Sequence, residues 1–424
     1  MASVDLTTLP GWSSLSTGSH NITIVAKADG YRDSEPSAAV SVEKVGGEYT
    51  DCITFTGESS DFTLSVSSYG AKEWDGTVEY STDHNTWRLW DGKKVSSVDK
   101  KLYLRGSGNT KFYTSDGARL SLSARAACSG NIQTLLEYSN PPTSIPADRC
   151  YRNMFYNCTS LTQAPALPAT TLANSCYGSM FYGCTSLTQA PALPATTLAD
   201  SCYSAMFYNC TNLTTAPELP ATTLTDYCYA SMFYGCTSLA QAPALPATTL
   251  TTGCYRYMFQ NCKSLTQAPA LPATTLTTDC YFQMFYDCTN LTQAPALPAT
   301  TLATGCYAAM FRNCTSLTQA PALPATRLVN RCYSGMFLGC TSLTQAPALP
   351  ATTLATECYR NMFRDCTNLK ISATQSTEYP TVWRIPSSGT ISSTSTDWNG
   401  YMLNGTGGTF TSNPSINTTY YGAW

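Results

Sequence analysis

Histidine is nearly missing from this chain of 424 residues, with only His20 and His84 present. Without a His pair there is no zinc-hydrolase signature, and no nucleophile elbow or phosphate-binding loop occurs either. Charge is scarce as well. Asp, Glu, Lys and Arg make up 12% of the residues, about half of the ~25% usual in soluble proteins. The net charge of -3 leaves no basic footprint for nucleic acid. Long apolar runs are also missing. Nothing approaches the ~20 residues of a membrane span, and no hydrophobic anchor closes the sequence. The opening residues, from Met1 to Pro10, have neither the basic nor the apolar segment of a signal peptide. A leader is therefore not expected, which points to a shortened chain or to a protein that works without the secretion pathway. The expectation is a non-catalytic protein with no cofactor, no metal, no nucleic-acid partner and no membrane insertion.

What the sequence has in abundance is itself. A unit of 26 residues recurs nine times, and its Met-Phe-x-x-Cys core returns at Met154, Met180, Met206, Met232, Met258, Met284, Met310, Met336 and Met362. A fixed period of this length marks a repeat architecture, which makes a long surface more readily than a catalytic cleft.

Eighteen of the 20 cysteines lie in these units, two per copy at C-x7-C spacing. Zinc sites favour closer pairs. On one helix, Cys202 and Cys210 would stand roughly 12 Å apart, beyond the ~7 Å Cα separation a disulfide tolerates. The thiols are expected to be small buried apolar groups.

The chain divides into segments. Residues 1–46 alternate like strands, at His20 to Lys27 and Ala38 to Lys44, with a turn at Asp29-Gly30, and suggest a partial immunoglobulin-like β module. Residues 47–127 carry short apolar runs separated by turns at Asp75-Gly76, Asp91-Gly92 and Asp116-Gly117, the pattern of a compact β-sandwich or barrel. Trp74, Trp87 and Trp90 are expected in its core. Residues 128–149 form an irregular first repeat suited to an N-terminal cap, 150–369 the regular array, and 370–424 a β-rich C-terminal cap or tip.

Within one unit, Leu198, Cys202, Met206, Phe207 and Cys210 fall at offsets that trace one helical face. Thr196 or Thr197 stands ahead as N-cap, and Asp200, Asp226, Asp279 and Glu357 lie near the helix starts, where the dipole favours them. The stretch after Leu213 is extended, because Pro217 and Pro220 forbid helix. Proline recurs there from Pro165 to Pro347 and donates nothing to a ladder, so the parallel sheet must be narrow or bulged. The expected fold is an α/β repeat solenoid with strand and helix faces, inward ladders of Phe, Met, Cys and Leu, and a run of roughly 43 Å.

Phe-x-x-Cys-Thr-Ser-Leu-Thr followed by a proline-bearing strand resembles the BspA-type leucine-rich repeats of bacterial surface adhesins. The resemblance covers just over half the chain. The unit is a few residues longer than the common form, with Cys202 where Ile and Tyr203 where Gly is usual. Chains of this layout are also similar to fibre and tail proteins of gut bacteriophages. The resemblance implies adhesion or surface recognition, without shared catalytic residues.

The Thr-Gln-Ala-Pro-Ala-Leu-Pro-Ala-Thr-Thr segment scarcely changes between repeats, whereas the residues flanking the helix core change freely, two such columns being examples. One reads Tyr156, Tyr182, Tyr208, Tyr234, Gln260, Tyr286, Arg312, Leu338 and Arg364; the other reads Arg152, Gly178, Ser204, Ala230, Arg256, Phe282, Ala308, Ser334 and Arg360. Tyr and Arg are the residues that carry interface contacts. With Trp398, Tyr401, Tyr420, Tyr421 and Trp424 of the tail, the Tyr and Arg of the first column are candidate ligand-binding residues for a host-surface glycan or protein. The tail aromatics serve equally well as a plug for the final repeat. Three roles follow. One is a virion fibre or receptor-binding or decoration protein whose N-terminal β modules join other virion proteins, with self-association as a further option. The others are a fragment of a secreted bacterial cell-surface adhesin and a spacer without ligand.

Overall fold

The structure, a computed structural model, describes residues 18–22, 40–44, 52–66, 74–112, 119–385 and 397–424. The chain separates into two compact units, Met1–Asp51 and Cys52–Trp424. In the first, β1 (Gly18–Ile22) pairs antiparallel with β2 (Val40–Lys44). The turn expected at Asp29-Gly30 lies outside the described residues, as does most of the expected immunoglobulin-like module.

The second unit opens with two sheets. Its strands are β3 (Ile53–Gly57), β4 (Thr63–Val66), β5 (Thr77–Ser81), β6 (Arg88–Leu89), β7 (Val95–Ser96), β8 (Lys101–Ser107), β9 (Leu120–Leu122), β10 (Ala126–Ser129) and β11 (Leu161–Gln163). One sheet runs β11-β10-β3-β8-β5-β6 and the other β7-β4-β9. Alternation places Ile53, Phe55, Leu102 and Leu104 inward from the first sheet, and Leu64, Leu120 and Leu122 from the second. Trp74 and Trp90 are core as expected, stacked at 5.3 Å. Trp87 is not: it is half-buried, with the Arg105 guanidinium 4.1 Å from its ring centre. It follows an irregular loop rather than the inward register of a strand. The turn expected at Asp116-Gly117 lies outside the described residues.

Parallel pairing of β10 with β11 carries this sheet directly into the repeats. Phe112 and Leu120 donate their amides to Cys150 O and Met154 O of the first regular coil. The apolar core continues from Ile53 to Tyr420 without a break.

The helical face expected in each repeat is not there. Among the described residues no α-helix occurs, and a short 3-10 turn at Ile132–Leu135 is the only helical element. Overlapping turns replace the helix. The amides of Ser175, Tyr177, Ser179, Phe181 and Gly183 reach carbonyls of the next coil, whereas Gly178, Met180, Tyr182 and Cys184 donate three residues back within their own. Every fourth residue takes a left-handed conformation, with φ 53° at Ser175, 53° at Ser179 and 69° at Gly183. Helix bonding would leave each coil self-contained; here half of the amides tie one coil to the next.

Thr196 and Thr197 are accordingly not N-caps but exposed residues of the extended edge, with Thr197 bridged to Thr171. Asp200 and Asp226 are not answering a helix dipole either. Each carboxylate accepts the amide one coil on, from Asp226 and Thr252. Asp279 and Glu357 themselves occupy left-handed positions and pair with Arg256, and with Arg331 and Arg360.

The proline-bearing stretches pair by isolated parallel bridges, such as Gln189↔Thr215 and Gln241↔Gln267. Proline's missing amide confines the ladder to single rungs, as expected.

Inside, Phe155 to Phe363 stack ring on ring, with neighbours 5.5–5.8 Å apart. Beside them stacks the buried tyrosine column from Tyr151 to Tyr359. All 20 cysteines are free thiols. From Cys184 to Cys366, the second cysteine of each coil donates its thiol to the Phe carbonyl of the preceding coil, at 3.0 Å for Cys184 and Phe155.

The array closes on a four-stranded sheet, β13-β15-β12-β14, built from β12 (Lys370–Ser372), β13 (Thr381–Ile385), β14 (Gly407–Gly408) and β15 (Thr418–Gly422). Residues 397–405 then act as one more coil. Tyr359, Asn361, Phe363 and Asp365 donate to Trp398, Gly400, Met402 and Asn404 as they would to a following repeat. Met402-Leu-Asn-Gly405 echoes Met-Phe-x-Asn/Gly, a faint match that the sequence reading missed because its spacing from Met362 breaks the period.

Candidate functional site

The first variable column begins as a stack of aromatic rings. Tyr156, Tyr182, Tyr208 and Tyr234 lie face to face with centroids 4.4, 4.5 and 4.2 Å apart. The coil spacing dictates this, since strands sit ~4.8 Å apart and a phenol is about as thick as that gap allows. At one end the Arg119 guanidinium covers Tyr156 at 3.9 Å. Gln260 follows Tyr234 in the column, 7% exposed, with its buried Oε1 lacking a hydrogen-bond partner. Tyr286 comes next, and Arg312 sits 5.2 Å from its ring. Leu338 breaks the planar run. Arg364 lies exposed beyond it, 5.7 Å from Tyr401.

From Arg119 on Tyr156 to Tyr208 on Tyr234 each ring face meets a neighbour, so these half-buried tyrosines offer mainly edges and hydroxyls to solvent. Burial, helped by the neighbouring hydroxyls, raises the phenol pKa of Tyr182 and Tyr208. These hydroxyls therefore stay protonated donors. The arrangement makes a ribbon of hydrogen-bonding groups along the stack.

The second column gathers in two places. Arg256 packs on Tyr257 and Phe282 at 4.7 and 4.8 Å and pairs with Asp279 at 3.6 Å. Arg360 links Glu357 at 2.6 Å to Asp397 of the tail at 3.3 Å.

The candidate tail aromatics separate. Trp398 is buried edge-on against Tyr359, and Tyr420 is buried beside Phe410. Trp424 is half-buried with its ring against Trp383, which itself packs on Phe363. Tyr421 is half-buried on β15, and Tyr401 is 52% exposed. Trp398 therefore belongs to the plug, and Tyr401 alone of this group presents a large free surface.

Sequence reasoning missed Arg119, which lies outside the period and carries no signal of its own. It also passed over the uniform side. There a cleft of about 450 Å³ opens between Thr292–Pro298 and Thr318–Pro324, and others of about 480 and 360 Å³ recur beside Pro165 and Pro217. Among the described residues no cluster of three or more His, Cys, Asp or Glu could hold a metal ion, and no helix is long and apolar enough to cross a membrane.

Residues 148–292 and 233–370 match the family described as BspA type Leucine rich repeat region, in six copies. No curated protein and no solved structure matches the chain.

Proposed function

Because the chain belongs to the BspA-type leucine-rich repeat family, which covers residues 148–370, we propose that it is a non-catalytic surface-recognition protein carried on a bacteriophage virion. In this reading the array is a solenoid that displays a contact surface. The N-terminal β modules attach it to other virion proteins, and the chain self-associates. The ligand is a host-surface glycan or protein.

The observation that carries the proposal is the stack from Arg119 to Tyr234, with Arg312 on Tyr286 further along the same column. It lies in one of the columns where the coils differ and presents a row of tyrosine hydroxyls with a guanidinium group toward each end. Such a row suits a polymer rich in hydrogen-bonding groups that lies along the stack. Free thiols throughout the chain favour assembly in a reducing cytoplasm, as for virion proteins, over export as a bacterial adhesin.

The test uses the full chain, because cutting at Leu369 would remove the terminal rung. One variant carries Tyr156, Tyr182, Tyr208 and Tyr234 changed to Ser; another carries Tyr401→Ser. Binding to bacterial cells and purified surface glycans should fall at least tenfold in the first while its circular dichroism is kept. Loss with Tyr401→Ser alone moves the site to the tail. An intact protein that binds nothing, yet is found firmly built into purified virions, turns the assignment to a spacer. Proteomics of purified virions separates the virion protein from the secreted adhesin.

A further inference from the structure

Among the described side chains, Cys52 is the one cysteine set against an imidazole. Its Sγ lies 3.4 Å from Nε2 of His84. From Cys184 on, the second cysteine of each coil points instead at a backbone carbonyl, and burial raises the thiol pKa throughout the array, as at Cys202 and Cys236. Buried thiols with no proton acceptor beside them are inert; Cys52 is as buried, and the imidazole is what sets it apart.

His84 sits in the loop between β5 and β6, left-handed at φ 63° and half-buried. Asp83 holds that loop, its Oδ1 accepting the amides of Asn85 and Thr86. The imidazole is wedged between Tyr103 at 4.7 Å and Trp87 at 5.9 Å, which fixes its edge toward the sulfur. A thiol this close to an imidazole can pass its proton across and become the nucleophilic thiolate.

We propose that Cys52 and His84 form a thiol–imidazole pair that makes Cys52 the reactive nucleophile of the chain, able to form a mixed disulfide with a disulfide-bearing partner. The Cys52 thiolate attacks one sulfur of the partner's disulfide. That S–S bond breaks, a new one forms to Sγ, and the other sulfur leaves as a thiolate. The proton from Cys52, held on Nε2, goes to the leaving thiolate or to water, so no external oxidant is needed. Cys52 is 2% exposed, so a reagent first meets the half-buried imidazole.

The test treats the native full chain with dithiobis(nitrobenzoate). One thiol per chain should react fast, map to Cys52 by peptide mass spectrometry and vanish in Cys52→Ser, while the coil thiols react only after denaturation. His84→Asn keeps a residue that tolerates the left-handed loop. It should slow the reaction about tenfold at neutral pH and move its pH profile up toward the ordinary thiol range of about 8.5. Among the described residues, the charged groups near the pair are Asp83, next to His84 in the chain, and, across Trp87, Arg105 with its partner Glu79; Tyr103 also borders it. None of these changes in the variant. No fast thiol, a fast thiol elsewhere, or an unshifted profile in His84→Asn would each overturn the proposal.

Discussion

Asn209 and Gly235 hold the same place in successive coils, both left-handed, at φ 55° and 71°. The whole column, from Asn157 to Asp365, contains only Asn, Asp and Gly, the residues that accept this conformation most readily. A Cβ added at Gly235 would run into the Asn209 Oδ1, which folds over the glycine. Gly235→Ala should therefore cost about 1–3 kcal/mol, from the left-handed penalty plus displacement of that amide. Part should return when Asn209→Ala is added, as equilibrium urea unfolding would show. Ala205, at φ 53°, is the reverse case. Ala205→Gly should stabilise by about 0.5–1 kcal/mol, since relief of the left-handed strain exceeds glycine's entropy cost.

That column was legible in the sequence, yet the apolar offsets pointed to helix. The reason is geometric. A run of turns repeats every four residues, and four residues of helix advance about 400°, a drift of only ~40° per step. Over Leu198 to Cys210 the drift stays near the width of an ordinary amphipathic stripe. Periodicity over one short segment cannot separate the two; the Asn, Asp and Gly column could.

At the scale of one coil, stability depends on the neighbours above and below. Phe259 is fully buried between Phe233 and Phe285, at 5.7 Å from each. Phe259→Ala should cost about 3–5 kcal/mol, seen as new protease cuts in the array while the sheets of residues 52–112 stay intact. Trp398→Ala should act the same way at the terminal rung, exposing the last coils first, because Tyr359 loses its cover. Unchanged proteolysis in both would mean these rings do not hold the stack. The short strands between Ile53 and Leu122, the proline-limited ladder and the inward columns were all readable from residue type and spacing. The extra rung in the tail was not, because a coil is recognised by its period and this one comes out of phase.

Over the whole molecule, the buried thiols set a pH limit. Burial pushes Cys210, Cys228 and Cys254 each up to about 12. In the unfolded chain the same groups lose their protons near pH 8.5. The folded chain then binds more protons than the unfolded one, so stability falls as pH rises. It should be level below about pH 8 and be lost progressively between about 9 and 12, when the denaturation midpoint is followed against pH. Replacing Cys228 and Cys254 with Ala should flatten that decline. A midpoint already falling between pH 6 and 8 would contradict the assignment.

The shared bonding between coils has a consequence for length. Each coil asks the same thing of whatever follows it: carbonyls in register for Tyr177, Ser179 and Phe181 or their counterparts. The tail satisfies that request as a repeat does. Excising residues 202–227 would give Tyr177 the carbonyl of Cys228 in place of Cys202, and would seat Tyr234 on Tyr182. Both ends would keep their covers. Reach is thus a free variable in this molecule, adjustable in steps of ~4.8 Å by duplication or loss of a 26-residue cassette, with no other residue required to change.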